Sequence, residues 1–124
     1  MKFTDGFWLM RPGVTPIYPV QVHEVEVESD ALTVYASPRR LTHRADTLDI
    51  PLLTIRLSSP TPNVVRVQLY HHKGQTPKKP QFQLKPQPKP KVEVHDDAQA
   101  ETLTSGRLTV RVEQASSWKS SFMD

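Results

Sequence analysis

The carboxylates Asp46, Asp49, Glu93, Asp96, Asp97 and Glu101 are the first residues in this chain that could do chemistry. Hydrolysis of a glycosidic bond needs two carboxyl groups on rigid elements, held at a fixed separation across the bond. These six are scattered, and the adjacent Asp96-Asp97 reads as a loop or cap, because Asp bonds its own backbone in turns. His71-His72 resembles a metal pair, with His23, His43 and His95 elsewhere. Adjacent strand residues point to opposite faces, so the pair cannot grip one ion without distortion, and no third ligand stands at a metal-site spacing. No serine lies in a nucleophile-elbow pattern. Trp8 and Trp118 could stack on a sugar ring, but both sit among large apolar residues, which favours packing. The residues themselves therefore predict no catalytic, substrate-binding or metal-ligating side chain.

The elements that would have to position such groups are thinly supplied with apolar residues. The chain has 124 residues, room for one domain, and a hydrophobic content of 36%, below the roughly 45–50% typical of globular domains. It has 12 Pro and no Cys, so disulfides, thiolate zinc sites and thiol catalysis are excluded and a reducing compartment suits it. No apolar run is long enough to span a bilayer. The net charge is +3. Five of the 16 basic residues lie in Thr76–Lys91, all of them Lys, beside five Pro and no acidic residue. That segment reads as an extended, solvated loop with a minimal P-x-x-P at Pro77–Pro80. With one aromatic and no docking motif, it does not predict nucleic-acid binding.

Strand patterns fill the rest. Val20 and Val22, then Val25 and Val27, alternate with polar residues, and the slip between them predicts a β-bulge or two short strands. Ala31–Ser37 sets Leu32, Val34 and Ala36 on one face and Thr33 and Tyr35 on the other. Ser29-Asp30 predicts the turn before it. Leu48–Ser58 is apolar on both faces and reads as a central strand, with Pro51 marking its beginning, an edge or a bulge. Ser59–Asn63 is a turn. Val64–His72 reads as half-buried through Val65, Val67 and Leu69. Glu101–Glu113 is the best hairpin, with Ser105-Gly106 as its turn and Leu108, Val110 and Val112 facing in. Trp118 and Phe122 belong to a last strand reaching Asp124. No sustained helical periodicity occurs. The class is all-β, an antiparallel β-sandwich.

The first residues are the most telling. Phe7, Trp8, Leu9 and Met10 are costly to expose and predict a docked terminus. The run is too short for a secretory signal. Lys2, Phe3, Asp5, Gly6, Trp8, Leu9, Pro12 and Gly13 form an opening similar to that of bacterial α-xylosidases of glycoside hydrolase family 31. The resemblance continues in order through Tyr18-Pro19, Val22/Glu24-Val25-Glu26 and Val34-Tyr35-Ala36 with Pro38-Arg39. It then covers Leu48-Asp49-x-Pro51-Leu52, His71 with Gly74, Pro80-x-Phe82-x-Leu84, and Thr104-Ser105-Gly106 with Trp118 and Phe122. Thr76–Lys91 departs most from the family.

This resemblance implies that residues 1–124 are the first part of a galactose-mutarotase-like N-terminal β-sandwich. In such enzymes it precedes a catalytic (β/α)8 barrel that this chain lacks. It implies a parent that is a retaining exo-glycosidase releasing terminal α-xylosyl, or related α-glucosyl, residues without a cofactor. The family's nucleophile lies in a Trp-x-Asp-x-x-Glu-like stretch of the barrel, and neither Trp8 nor Trp118 is followed by that pattern. The isolated chain is expected to be an inactive scaffold. Its expected partners are the rest of the parent and a second copy through exposed strand edges, with no nucleic acid and no membrane, in the cytoplasm. The rival expectation is a stand-alone carbohydrate- or protein-binding module using Trp8, Trp118 or the Lys/Pro segment.

Overall fold

The computed structural model describes residues 9–70, 88–114 and 117–124. The expectations for Phe7 and Trp8, for His71-His72 and for most of Thr76–Lys91 fall outside them. The first sheet is built from β1 (Gln21–Val27), β2 (Ala31–Ser37), β3 (Leu53–Ser58) and β4 (Arg66–Tyr70), in that spatial order. The second is built from β5 (Val92–Asp97), β6 (Ala100–Ser105), β7 (Leu108–Glu113) and β8 (Ser120–Met123), again in chain order. Every neighbouring pair is antiparallel. The two sheets pack as a β-sandwich around Leu32, Val34, Ala36, Ile55, Leu57, Leu103, Val110 and Val112.

Local chemistry explains the elements. Val22 and Val25 are three residues apart, which in a regular strand puts them on opposite faces. In β1 both pack against the core, because the register slips between Val22, opposite Ala36, and Glu24, opposite Tyr35. The bulge predicted from the valine spacing is thus present, with His23 as the extra residue. Pro12-Gly13 forms a turn closed by Val14 N–H donating to the Arg11 carbonyl at 3.1 Å, and Gly13 has φ 81°. A glycine suits that position because a side chain is strained at positive φ.

Three expectations are corrected. The strand placed over Leu48–Ser58 begins only at Leu53. A 3-10 turn at residues 44–47 precedes the stretch, and Leu48 is 81% exposed. Pro51 has no N–H for a ladder, so pairing starts beyond it. β3 is nevertheless central, between β2 and β4. The β6–β7 turn is Gly106-Arg107 rather than Ser105-Gly106, because Ser105 still pairs with Leu108. Finally, Val67 and Leu69 stand opposite the buried Leu57 and Ile55, hence on the inner side of the sheet, yet they are 53% and 58% exposed. Among the described residues β4 ends its sheet, and the core reaches only as far as Val65.

Candidate functional site

The sequence-predicted groups do not converge. Asp46 lies in the 3-10 turn; Glu93, Asp96 and Asp97 lie on β5, whose last residue caps the following turn by accepting a bond from Ala98 N–H at 2.7 Å. Asp96-Asp97 is thus a strand end rather than a loop. His23 sits exposed in the bulge of β1, His95 sits exposed on β5, and His43 stands 3.3 Å from Asp46. Among the described residues no three His, Cys, Asp or Glu side chains gather as a metal site. Trp118 is half-buried against the core, and its backbone N–H donates to the Val20 carbonyl at 2.6 Å, tying the second sheet to the first. That is a packing role. At the described end of the Lys/Pro segment, Lys91 pairs with Glu93 at 3.1 Å on the surface, a contact of the kind worth at most about 1 kcal/mol.

Glu101 is the carboxylate that does not behave as a surface group. It lies on β6 in the same alternation as Leu103, so its side chain is directed between the sheets. It is 1% exposed. Its Oε1 accepts a bond from Gln114 Nε2, while Oε2 has no hydrogen-bond partner among the described residues. Burial pushes its carboxyl above the ordinary glutamate range, and the negative charge of Asp96, directly opposite on β5, pushes the same way. Gln114 continues the arrangement: its N–H donates to the Gln99 carbonyl at 3.0 Å, and its residue walls a cleft of about 310 Å3 together with Val22, His23, Glu24 and Val25. Asp96 and Glu101 are thus a facing carboxylate pair, but one member is sealed in the interior. A retaining glycosidase needs both groups on an open cleft, about 5–5.5 Å apart across the bond.

Several other acids are engaged structurally. On the outer face of the first sheet, Arg56 grips Glu28 through both guanidinium nitrogens, with Nη2 to Oε2 at 2.9 Å, and the Tyr35 hydroxyl donates to Glu26 at 3.0 Å. The bond to Glu28 raises the Arg56 pKa further. Asp46 is held at a pKa of about 2, chiefly by the Thr42 N–H at 2.8 Å, then by the Thr42 hydroxyl and the His43 N–H. At the strand ends near Val20, a shallow apolar cleft of about 260 Å3 is lined by Pro16, Ile17, Tyr18, Val20, Pro38 and Pro51, and Tyr18 and Leu52 stay exposed.

Sequence reasoning passed over Glu101 as one of several scattered acids. The signal was present: Glu101, Leu103 and Ser105 share a face, and Leu103 had to be inside.

No protein-family model matches this chain. Among curated proteins it is 33% identical over 111 residues to an α-xylosidase, XylQ, of Lactiplantibacillus pentosus, a match covering 89% of this chain. It is 29% identical over 112 residues to an α-xylosidase of Emericella nidulans, covering 90% of this chain. The resemblance to α-xylosidases inferred from the opening residues is borne out. The chain spans only 14% of each of these relatives.

Proposed function

We propose that this chain is a non-catalytic scaffold segment of a retaining α-glycosidase of glycoside hydrolase family 31, lying at the start of the parent. The parent hydrolyses terminal α-xylosyl, or related α-glucosyl, residues of oligosaccharides in the cytoplasm. The observation that carries this reading is the similarity to α-xylosidases over nine tenths of the chain, against one seventh of theirs. The inaccessibility of Glu101 supports the non-catalytic part, since no sugar reaches a carboxyl that is 1% exposed. The packing of Trp118 favours a scaffold over a sugar platform. The apolar side chains left exposed at Tyr18, Leu48, Leu52, Val67 and Leu69 supply surface for the remainder of the parent to cover.

The purified 124-residue chain is expected to show no turnover of p-nitrophenyl α-xyloside. Turnover that follows the chain through purification would overturn the scaffold reading. The parent enzyme is expected to release xylose with retained anomeric configuration, as a double displacement requires. Inverted product, or no action on α-xylosides and α-glucosides, would overturn the assignment of the parent.

A further inference from the structure

One end of the sandwich is held by a group that titrates. Glu101 brings a carboxyl between the sheets with one oxygen bonded to Gln114 and the other without a partner among the described residues. Gln114 is fixed at the same place by its backbone bond to Gln99 and forms the wall of the cleft opposite the bulge of β1. Beyond it, the Trp118 backbone N–H bonds the Val20 carbonyl, just before that same strand.

We propose that Glu101 and Gln114 form a proton-held latch that fixes the end of β7 beside the bulged strand β1. With its proton, the Glu101 side chain is a neutral group in a sealed site, and its carbonyl oxygen still accepts from Gln114. Without it, a full charge sits in the interior with one oxygen unsatisfied. A buried carboxylate with one oxygen unbonded is strongly disfavoured against its neutral form. Among the described residues, the charged groups around it offer no relief. Asp96 faces it from β5 with the same sign, and β7 presents the apolar Val112 opposite. Across the cleft β1 offers Glu24, again negative, and His23, which is exposed. On β7, Glu113 is engaged with Lys119 at 3.0 Å. The chain meets the charge by opening: Glu101 leaves the interior, and the Gln114 bond goes with it.

The device predicts a local opening that follows pH while the opposite end of the sandwich stays closed. The probe is amide exchange of the whole chain, corrected for the intrinsic pH dependence of exchange, with the Glu101 carboxyl followed by carbon-detected NMR. Protection at the Gln114 and Trp118 amides is expected to fall as pH rises above 4.5. The fall is tenfold for each unit by which the closed-state pKa exceeds the open-state one. Protection at the Asn63 amide is expected to stay level. Glu101→Gln is expected to remove the dependence, and Asp96→Asn to move its midpoint downward without abolishing it. A Glu101 midpoint at or below 4.5 in the native chain would overturn the proposal, and so would an unchanged pH profile in Glu101→Gln. The native titration decides the matter even if that variant does not fold.

Discussion

The two ends of this sandwich join the same sheets by different chemistry. At one end the Ser59 and Ser105 hydroxyls bond each other at 2.7 Å. There Asn63 N–H donates to the Ser105 carbonyl at 3.2 Å, and Asn63 Oδ1 accepts from Arg107 N–H at 2.8 Å. All these groups are neutral, and both hydroxyls have partners. At the other end the work falls to the Trp118 backbone bonded to Val20, and to a buried acid held by Gln114, with one oxygen unsatisfied among the described residues. A neutral network is indifferent to pH, whereas a buried carboxyl makes the closed state depend on a proton. The difference teaches that stability at the serine end and responsiveness at the glutamate end come from similar numbers of bonds.

The sharpest way to break the comparison is to spoil the neutral end at Gly106. Its φ is 63°, and a Cβ there would run into the Asn63 side-chain amide and come within 3.3 Å of the Asn63 backbone nitrogen. Gly106→Ala combines backbone strain with loss of the Asn63 bonds, and is expected to cost about 2–3 kcal/mol. Urea unfolding measures it; a loss below about 0.5 kcal/mol would mean that the Asn63 contact is not holding the sheets. Ser105→Ala is the milder version. It leaves the half-buried Ser59 hydroxyl without its Ser105 partner and is expected to cost about 1–2 kcal/mol, with no change in the pH profile.

Glu101→Gln sharpens the comparison from the other side, because it makes both ends neutral. The amide keeps an acceptor for Gln114. The sign follows from linkage: the folded pKa of Glu101 is raised, so its contribution is complete below 4.5 and is lost as pH rises through the folded value. Wild type and variant are therefore expected to melt alike below pH 4.5 and to diverge above it, the variant having the higher Tm. Thermal melts across pH 4–9 test this, and parallel curves would place the charge in solvent.

Much of the sandwich was legible in the sequence because period-two patterns carry it. The odd spacing of Val22 and Val25 could be reconciled with one buried face only by a bulge, and it was. Leu32, Val34 and Ala36 declared their face because the residues between them were Thr and Tyr. What failed was what depends on neighbours rather than on pattern. Val67 and Leu69 alternate correctly, but they lie on an edge strand with no second sheet closing over them among the described residues. Leu48 and Ile50 extended an apolar run that Pro51 prevents from pairing. Glu101 lay in the right register for the interior, yet a charged residue type argued for the surface. Its burial is set by Leu103 and Val112, which it accompanies into the core.

The smallest expected effect belongs to Asp46, and it serves as the contrast for Glu101. Both are carboxylates with shifted pKa values, but the shifts have opposite causes. Asp46 accepts three bonds, from the Thr42 N–H and hydroxyl and from the His43 N–H, all of which favour its charged form. Its folded pKa of about 2 lies below the ordinary 3.8, so its contribution is present above that value and fades as pH falls toward 2. The turn it closes lies outside both sheets and buries no side chain. Asp46→Asn should therefore leave global melting near neutral pH almost unchanged. It should loosen the Thr42 and His43 amides and remove their acid-limb dependence between pH 4 and 2. Amide exchange in that window reads it directly, and a large drop in Tm at pH 7 would mean that the 3-10 turn holds up the sheet. The acid limb then reports Asp46 and the limb above pH 4.5 reports Glu101, so one titration separates a carboxylate stabilised by its bonds from one destabilised by its burial.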